Sequence, residues 1–133
     1  MNMKEKLTII IVGGKIVEEE DSLCQLLTAF TAVEGHKILV HGGGRSATKV
    51  AAQLGIESQM INGRRVTDAD MLNVVTMENG GLVNKNIVVR LQAQGGNALG
   101  LTGADMDVIR SHKRPVKDVD YGFVGDVDAV NGT

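Results

Sequence analysis

The sequence predicts an α/β domain built on parallel strands, and three features predict it. Two aliphatic, β-branched runs, Leu7-Thr8-Ile9-Ile10-Ile11-Val12 and Lys37-Ile38-Leu39-Val40, each end in a glycine turn. Each turn leads into a segment whose apolar residues recur at helical spacing. The resulting β-α-β-α order has short connections, and parallel strands joined by right-handed crossovers are its default consequence. A chain of 133 residues is long enough for one domain with a core, since about 150 residues bury roughly 70% of their unfolded surface.

Taken in order, Leu7 to Val12 is continuously apolar, the pattern of a strand buried on both faces of a parallel sheet. Gly13-Gly14 ends it. Asp21 and Ser22 are the expected caps of a helix that carries Leu23, Leu26, Leu27, Phe30 and Val33 on one face and closes at Gly35. His36 and Lys37 open the second strand, followed by His41-Gly42-Gly43-Gly44-Arg45 and a helix from Ser46 to Leu54, ending at Gly55. Beyond Ile56 the pattern changes. Ser58-Gln59-Met60-Ile61 and Arg65-Val66-Thr67 flank Asn62-Gly63, which predicts a hairpin. Thr67-Asp68-Ala69-Asp70 has capping-box form, with Thr67 as the expected cap of a long helix through Met71, Leu72, Val74, Val75 and Met77. Gly80-Gly81 bends or splits that helix, which resumes through Leu82, Val83, Ile87, Val88 and Leu91. Asn97 to Leu101 reads as a short strand and Thr102-Gly103-Ala104-Asp105 as another glycine turn. Val108 to Ser111 and Gly122 to Gly125, around a charged segment with Pro115, predict two antiparallel strands.

Composition narrows the function classes. Hydrophobic residues are 43% and charged residues 23%, with net charge −2 at pH 7, which is ordinary for a globular chain. The aromatics are Phe30, Tyr121 and Phe123, and no basic stripe exists, so nucleic acid is set aside as a partner. Cys24 is the single cysteine, which excludes an internal disulfide and fits a reducing compartment. Residues 1–12 are too short and too mixed for a secretion signal or a spanning helix, so the expectation is a cytoplasmic protein with no membrane partner.

The chemistry concentrates in the glycine turns. Val40-His41-Gly42-Gly43-Gly44-Arg45 opens a helix, so bare backbone N–H groups and the positive end of the helix dipole favour an anion, most naturally a phosphate. Gly13-Gly14 forms a turn of the same kind. Two such turns at one edge of a parallel sheet could hold a phosphoryl group between them. His41 reads as a residue that orients the loop by a hydrogen bond rather than as a catalyst. His36 and His112 lack metal-ligand spacing, and Asp105 and Asp107 read as makers of local backbone hydrogen bonds rather than magnesium ligands. His-Gly-Gly-Gly also serves as an oxyanion motif in lipase-like hydrolases, but the Gly-x-Ser-x-Gly elbow is missing.

The order Ile-Val-Gly-Gly, His-Gly-Gly-Gly, Asn62-Gly63-Arg64-Arg65-Val66-Thr67, Asn84-Lys85 and Gly100-Leu101-Thr102-Gly103-Ala104-Asp105 resembles the acetylglutamate kinases of the amino acid kinase family. The resemblance implies a three-layer αβα sandwich with a mainly parallel open sheet. It also implies ATP-dependent phosphorylation of the side-chain carboxylate of an N-acyl-L-glutamate in arginine biosynthesis, with ATP and Mg as cofactors and a homodimer as the assembly. By position, Gly13, Gly14, Gly43 and Gly44 would surround the transferring phosphoryl group, Gly43 and Gly44 would also touch substrate, and Arg65 would clamp its α-carboxylate. Two departures follow. Ile11 stands where the family pattern has a lysine, and the C-terminal, nucleotide-binding half of such chains is not represented. Residues 1–133 are therefore expected to be a truncated, N-acylglutamate-binding half with little or no kinase activity alone, or a non-catalytic acyl-amino-acid-binding or dimerisation module.

Overall fold

β1 (Leu7–Val12) and β2 (His36–His41) pair in parallel, in a register that sets Leu7 beside His36 and Val12 beside His41. The structure, a computed structural model, describes residues 5–133, so the part of the leader expectation that concerns residues 1–4 lies outside the described residues. Between the two strands run a short helix, α1 (Gly14–Glu18), and α2 (Glu20–Ala32). The caps expected at Asp21 and Ser22 are thus corrected: Glu19 holds the cap position and the helix begins at Glu20. Glu20 and Asp21 occupy the first turn, where carboxylates suit the positive end of the helix dipole. Gly35, at φ +80°, makes the turn into β2.

Leu23, Leu27 and Phe30 of α2 pack against Val83, Ile87 and Leu91, with Ile10 and Leu39 of the sheet beneath them. This cluster covers one face of the strand pair. The other face is open: Leu7, Ile9 and Ile11 of β1 and Ile38 and Val40 of β2 are all exposed, Ile11 by 78%. The expectation of a strand buried on both faces is therefore corrected. Alternate residues of a strand point to opposite faces, and among the described residues helices cover only one of them.

α3 (Ser46–Gln53) leads to the hairpin β3 (Gln59–Ile61) and β4 (Arg64–Val66), turning at Asn62 (φ 50°) and Gly63 (φ 74°) as Asn-Gly predicts. α4 (Ala69–Val75) is capped by Asp68, whose carboxylate accepts from Met71 N at 2.8 Å, and not by Thr67. Thr67 is buried and otherwise engaged: its N–H donates to Tyr121 O at 2.9 Å and its carbonyl accepts from Phe123 N at 2.7 Å. Gly80-Gly81 neither breaks nor splits the helix. It continues as a π-helical segment, Thr76–Val83, into α5 (Asn84–Ala93). Such widened turns accommodate residues that the α repeat cannot place. Met71 and Val74 of α4 bury against Ala47 and Ala51 of α3, forming a second cluster.

Asn97 to Leu101 is corrected as well: among the described residues it pairs with no strand. The last two strands, β5 (Ile109–Lys113) and β6 (Gly125–Val130), are antiparallel as expected, the second beginning three residues later than read. Among the described residues no helix is long and apolar enough to cross a membrane.

Leu27 is fully buried whereas Leu99 is 82% exposed, so the two leucines test this partition. Leu27→Ala is expected to lower unfolding free energy by about 2–5 kcal/mol and Leu99→Ala by less than about 0.5 kcal/mol, both read from urea denaturation.

Candidate functional site

Parallel pairing with Val12 opposite His41 brings both glycine turns to the same edge of the sheet. They touch there. A Cβ added to Gly14 would overlap Gly44, lying 2.7 Å from its backbone N, and one added to Gly44 would lie 2.9 Å from Gly14 O. Gly44 also has φ +60°, so glycine is required twice over, by conformation and by space. Gly13 and Gly42 have open space at the same test position. Among the described residues, the N–H groups of Gly14, Gly43 and Gly44 donate to no backbone or side-chain acceptor. Three backbone donors without an acceptor thus lie in the two turns at one edge, two of them just before an eight-residue helix.

The second turn is held from several sides. Ser46 Oγ donates to Gly43 O at 2.7 Å. Asn79, from the π segment, presses its carboxamide against Gly43, and its Oδ1 is buried without a partner. His41 contacts Gly42 O through Nδ1 at 3.2 Å and Asn84 Nδ2 through Nε2 at 3.0 Å. Asn84 donates in that pair, so Nε2 is the acceptor and Nδ1 carries the proton that reaches Gly42 O. His41 is thus a loop-orienting residue, as read. The Asn84-Lys85 pair also ties down the following segment: Asn84 Nδ2 reaches Leu101 O at 3.4 Å and Lys85 Nζ reaches Gly100 O at 2.8 Å.

Arg65 comes to the flank of α3. Its Nη2 donates to Thr48 Oγ1 at 2.7 Å, whereas its Nε is buried with no partner. A guanidinium that uses only one of its donors on a neighbouring hydroxyl is suited to a planar acceptor such as a carboxylate. Arg64 is exposed on the other side of the hairpin strand. Ile11 stands on the open apolar face beside the first turn and brings no charge to it. The structure thus brings Gly14, Gly43 and Gly44 together, and anchors Arg65 to the first turn of the same helix. Glu18, Thr48 and Asn79 also belong to this cluster. Nothing in their spacing singles them out, because each acts across a tertiary contact.

Asp105 and Asp107 make local contacts. Asp105 accepts from Thr102 N at 2.6 Å and Thr102 Oγ1 at 2.8 Å, and Asp107 pairs with Arg110. Among the described residues no group of three or more His, Cys, Asp or Glu could hold a metal ion. The two hydrogen bonds from Thr102 hold the Asp105 carboxyl below the usual aspartate range, with Lys85 adding a smaller pull in the same direction.

A profile of the amino acid kinase family matches residues 6–132. The chain is 76% identical over 131 residues to an acetylglutamate kinase of Bacteroides fragilis, covering 98% of this chain and 50% of that protein. It is 78% identical over 129 residues to an acetylglutamate kinase of Phocaeicola vulgatus, covering 97% and 50%. Among solved structures, smu.665 of Streptococcus mutans superposes with a TM-score of 0.76 at 25% identity, covering 94% of this chain and 51% of that one. An N-acetylglutamate synthase of Neisseria gonorrhoeae shares the fold at a TM-score of 0.65 and 18% identity, covering 94% and 31%. The chain spans about half the length of the curated relatives it matches.

A depressed carboxyl stabilises the fold above its unfolded pKa of about 4 and ceases to do so as pH falls through its folded value. Asp105 is therefore expected to titrate below an unpaired aspartate by carboxyl NMR. Thr102→Val, which removes the hydroxyl donor and keeps the N–H, is expected to move that midpoint part of the way back up.

Proposed function

The chain belongs to the amino acid kinase family, and from that premise we propose that it is the acyl-amino-acid-binding half of an N-acyl-L-glutamate kinase. The observation that carries this reading is the contact between the two glycine turns at one sheet edge, with backbone N–H groups in both turns left without an acceptor among the described residues. In this reading Gly13, Gly14, Gly43 and Gly44 surround the transferring phosphoryl group, and Arg65 holds the substrate's α-carboxylate. The guanidinium donors of Arg65 that Thr48 leaves unpaired support that role. The side-chain carboxylate of an N-acylglutamate is already a nucleophile, so no general base is required. One carboxylate oxygen bonds to phosphorus as the bond from phosphorus to the departing diphosphate oxygen breaks. The protein's part is alignment and neutralisation of charge on the moving group.

ATP and Mg are the cofactors of this family reaction, which serves arginine biosynthesis in the cytoplasm. The nucleotide half belongs to the part of the relatives' length that this chain does not match. In this reading residues 1–133 bind and align substrate, and Ile11 brings no charge beside the first turn.

A second reading, an acyl-amino-acid-binding or dimerisation module without catalysis, draws on a separate observation. The uncovered face of Leu7, Ile9, Ile11, Ile38 and Val40 lies beside the unpaired edge of β2. That edge opens onto a cavity of about 740 Å³ bounded across the gap by residues 96–103. The uncovered apolar face, rather than the β2 edge that residues 96–103 face, favours association, here with a second copy.

Calorimetric titration with N-acetyl-L-glutamate is expected to show binding that Arg65→Ala weakens by about 10- to 150-fold, the loss of a charge-assisted hydrogen-bonded pair. Equal binding by both proteins, or none by either, overturns the kinase-half reading. Sedimentation velocity is expected to show a mass that rises with concentration toward a dimer. A monomer mass at every concentration overturns the association.

A further inference from the structure

We infer that Glu18 is a positioning residue: it braces the second glycine turn against the first, so that the turn's free amides stay aimed at one anionic group. The inference rests on the substrate-half reading and adds to it a residue that the glycine motifs do not contain.

Glu18 is the last residue of α1, the helix that begins at Gly14 of the first turn. Its Oε1 accepts the backbone N–H of Arg45, the residue that caps α3 and follows Gly44 of the second turn. This bond joins residues 27 apart in sequence. The carboxylate also lies against Gly44 itself, with Oε1 2.7 Å and Cδ 2.9 Å from the place where a Cβ would stand. One side chain therefore links the two turns at the point where their backbones touch.

The choice of partner matters. Glu18 takes the amide of Arg45 and leaves those of Gly14, Gly43 and Gly44 without an acceptor. Had the carboxylate accepted the N–H of Gly43 or Gly44, it would have filled the anion-accepting position. In its observed place it uses a neighbouring donor as a fixed point. A carboxylate accepting a backbone N–H makes a charge-assisted bond stronger than a neutral one. Glycine-rich backbone otherwise has wide conformational freedom, and preorganised donors act only when their aim is fixed before the ligand arrives. The bond orients amides and touches no ligand.

The test compares wild type, Glu18→Gln, which keeps an acceptor oxygen, and Glu18→Ala, which does not. Amide NMR is recorded while inorganic phosphate is added. In wild type, phosphate is expected to shift the amides of Gly14, Gly43 and Gly44. Glu18→Ala is expected to move the Arg45 amide in the free protein, to leave core amides such as those of Leu27 and Val74 in place, and to weaken phosphate binding by about tenfold. Glu18→Gln is expected to recover most of that loss. An unmoved Arg45 amide in Glu18→Ala, phosphate binding as tight as or tighter than wild type, or no phosphate response in wild type overturns the proposal. Failure of the substrate-half reading is seen separately, as N-acetyl-L-glutamate binding that is absent or indifferent to Arg65→Ala.

Discussion

The parallel register of β1 and β2 is the constraint on which the rest of this structure depends. Val12 beside His41 ends both strands at one level, and so two glycine turns that are distant in sequence begin side by side. A slip of β1 by one residue would reverse which of its side chains face α2 and α5, exposing Ile10 and turning Ile9 and Ile11 inward. The packing of Leu23, Leu27 and Phe30 over Ile10 and Leu39 therefore does more than form a core. It fixes the pairing that creates the edge where an anion would be held.

Once the turns meet, close approach determines which residues can occupy them. Gly14 and Gly44 have no room for a side chain because each fills the other's space. Around them, polar groups from three directions hold a backbone that has few contacts of its own: Ser46 from the helix below, His41 through Asn84 from α5, and Glu18 from α1. The arrangement differs from a helix N-terminus standing alone. Its donors are left free while neighbouring groups are satisfied, and that division separates an anion-accepting edge from an ordinary turn.

Much of this was legible in the residues, for physical reasons that differ from place to place. Asn62-Gly63 announced its hairpin because positive φ at both positions is a local requirement. The turns announced themselves because glycine at the end of an apolar run has few other uses. Thr67 was misread because capping chemistry suits Thr67 and Asp68 equally, and only the tertiary contact with Tyr121 and Phe123 chooses between them. The strand expected at Asn97 to Leu101 failed for a related reason: extended sequence becomes a strand only when a partner lies beside it. Burial of β1 on both faces likewise depended on a second layer, which hydrophobicity alone cannot supply. Glu18 and Asn79 carried no signal, since their roles exist only across folded contacts.

The unbroken helical run of residues 69–93 has a further consequence. Met71 and Val74 at its start belong to one apolar cluster, while Val83, Ile87 and Leu91 toward its end belong to the other. The α3 layer and the sheet layer therefore share one rod, and the π segment between them keeps the rod continuous where two glycines would otherwise invite a hinge. Two small cores are coupled in a single cooperative unit, so loosening at either end is transmitted to the other.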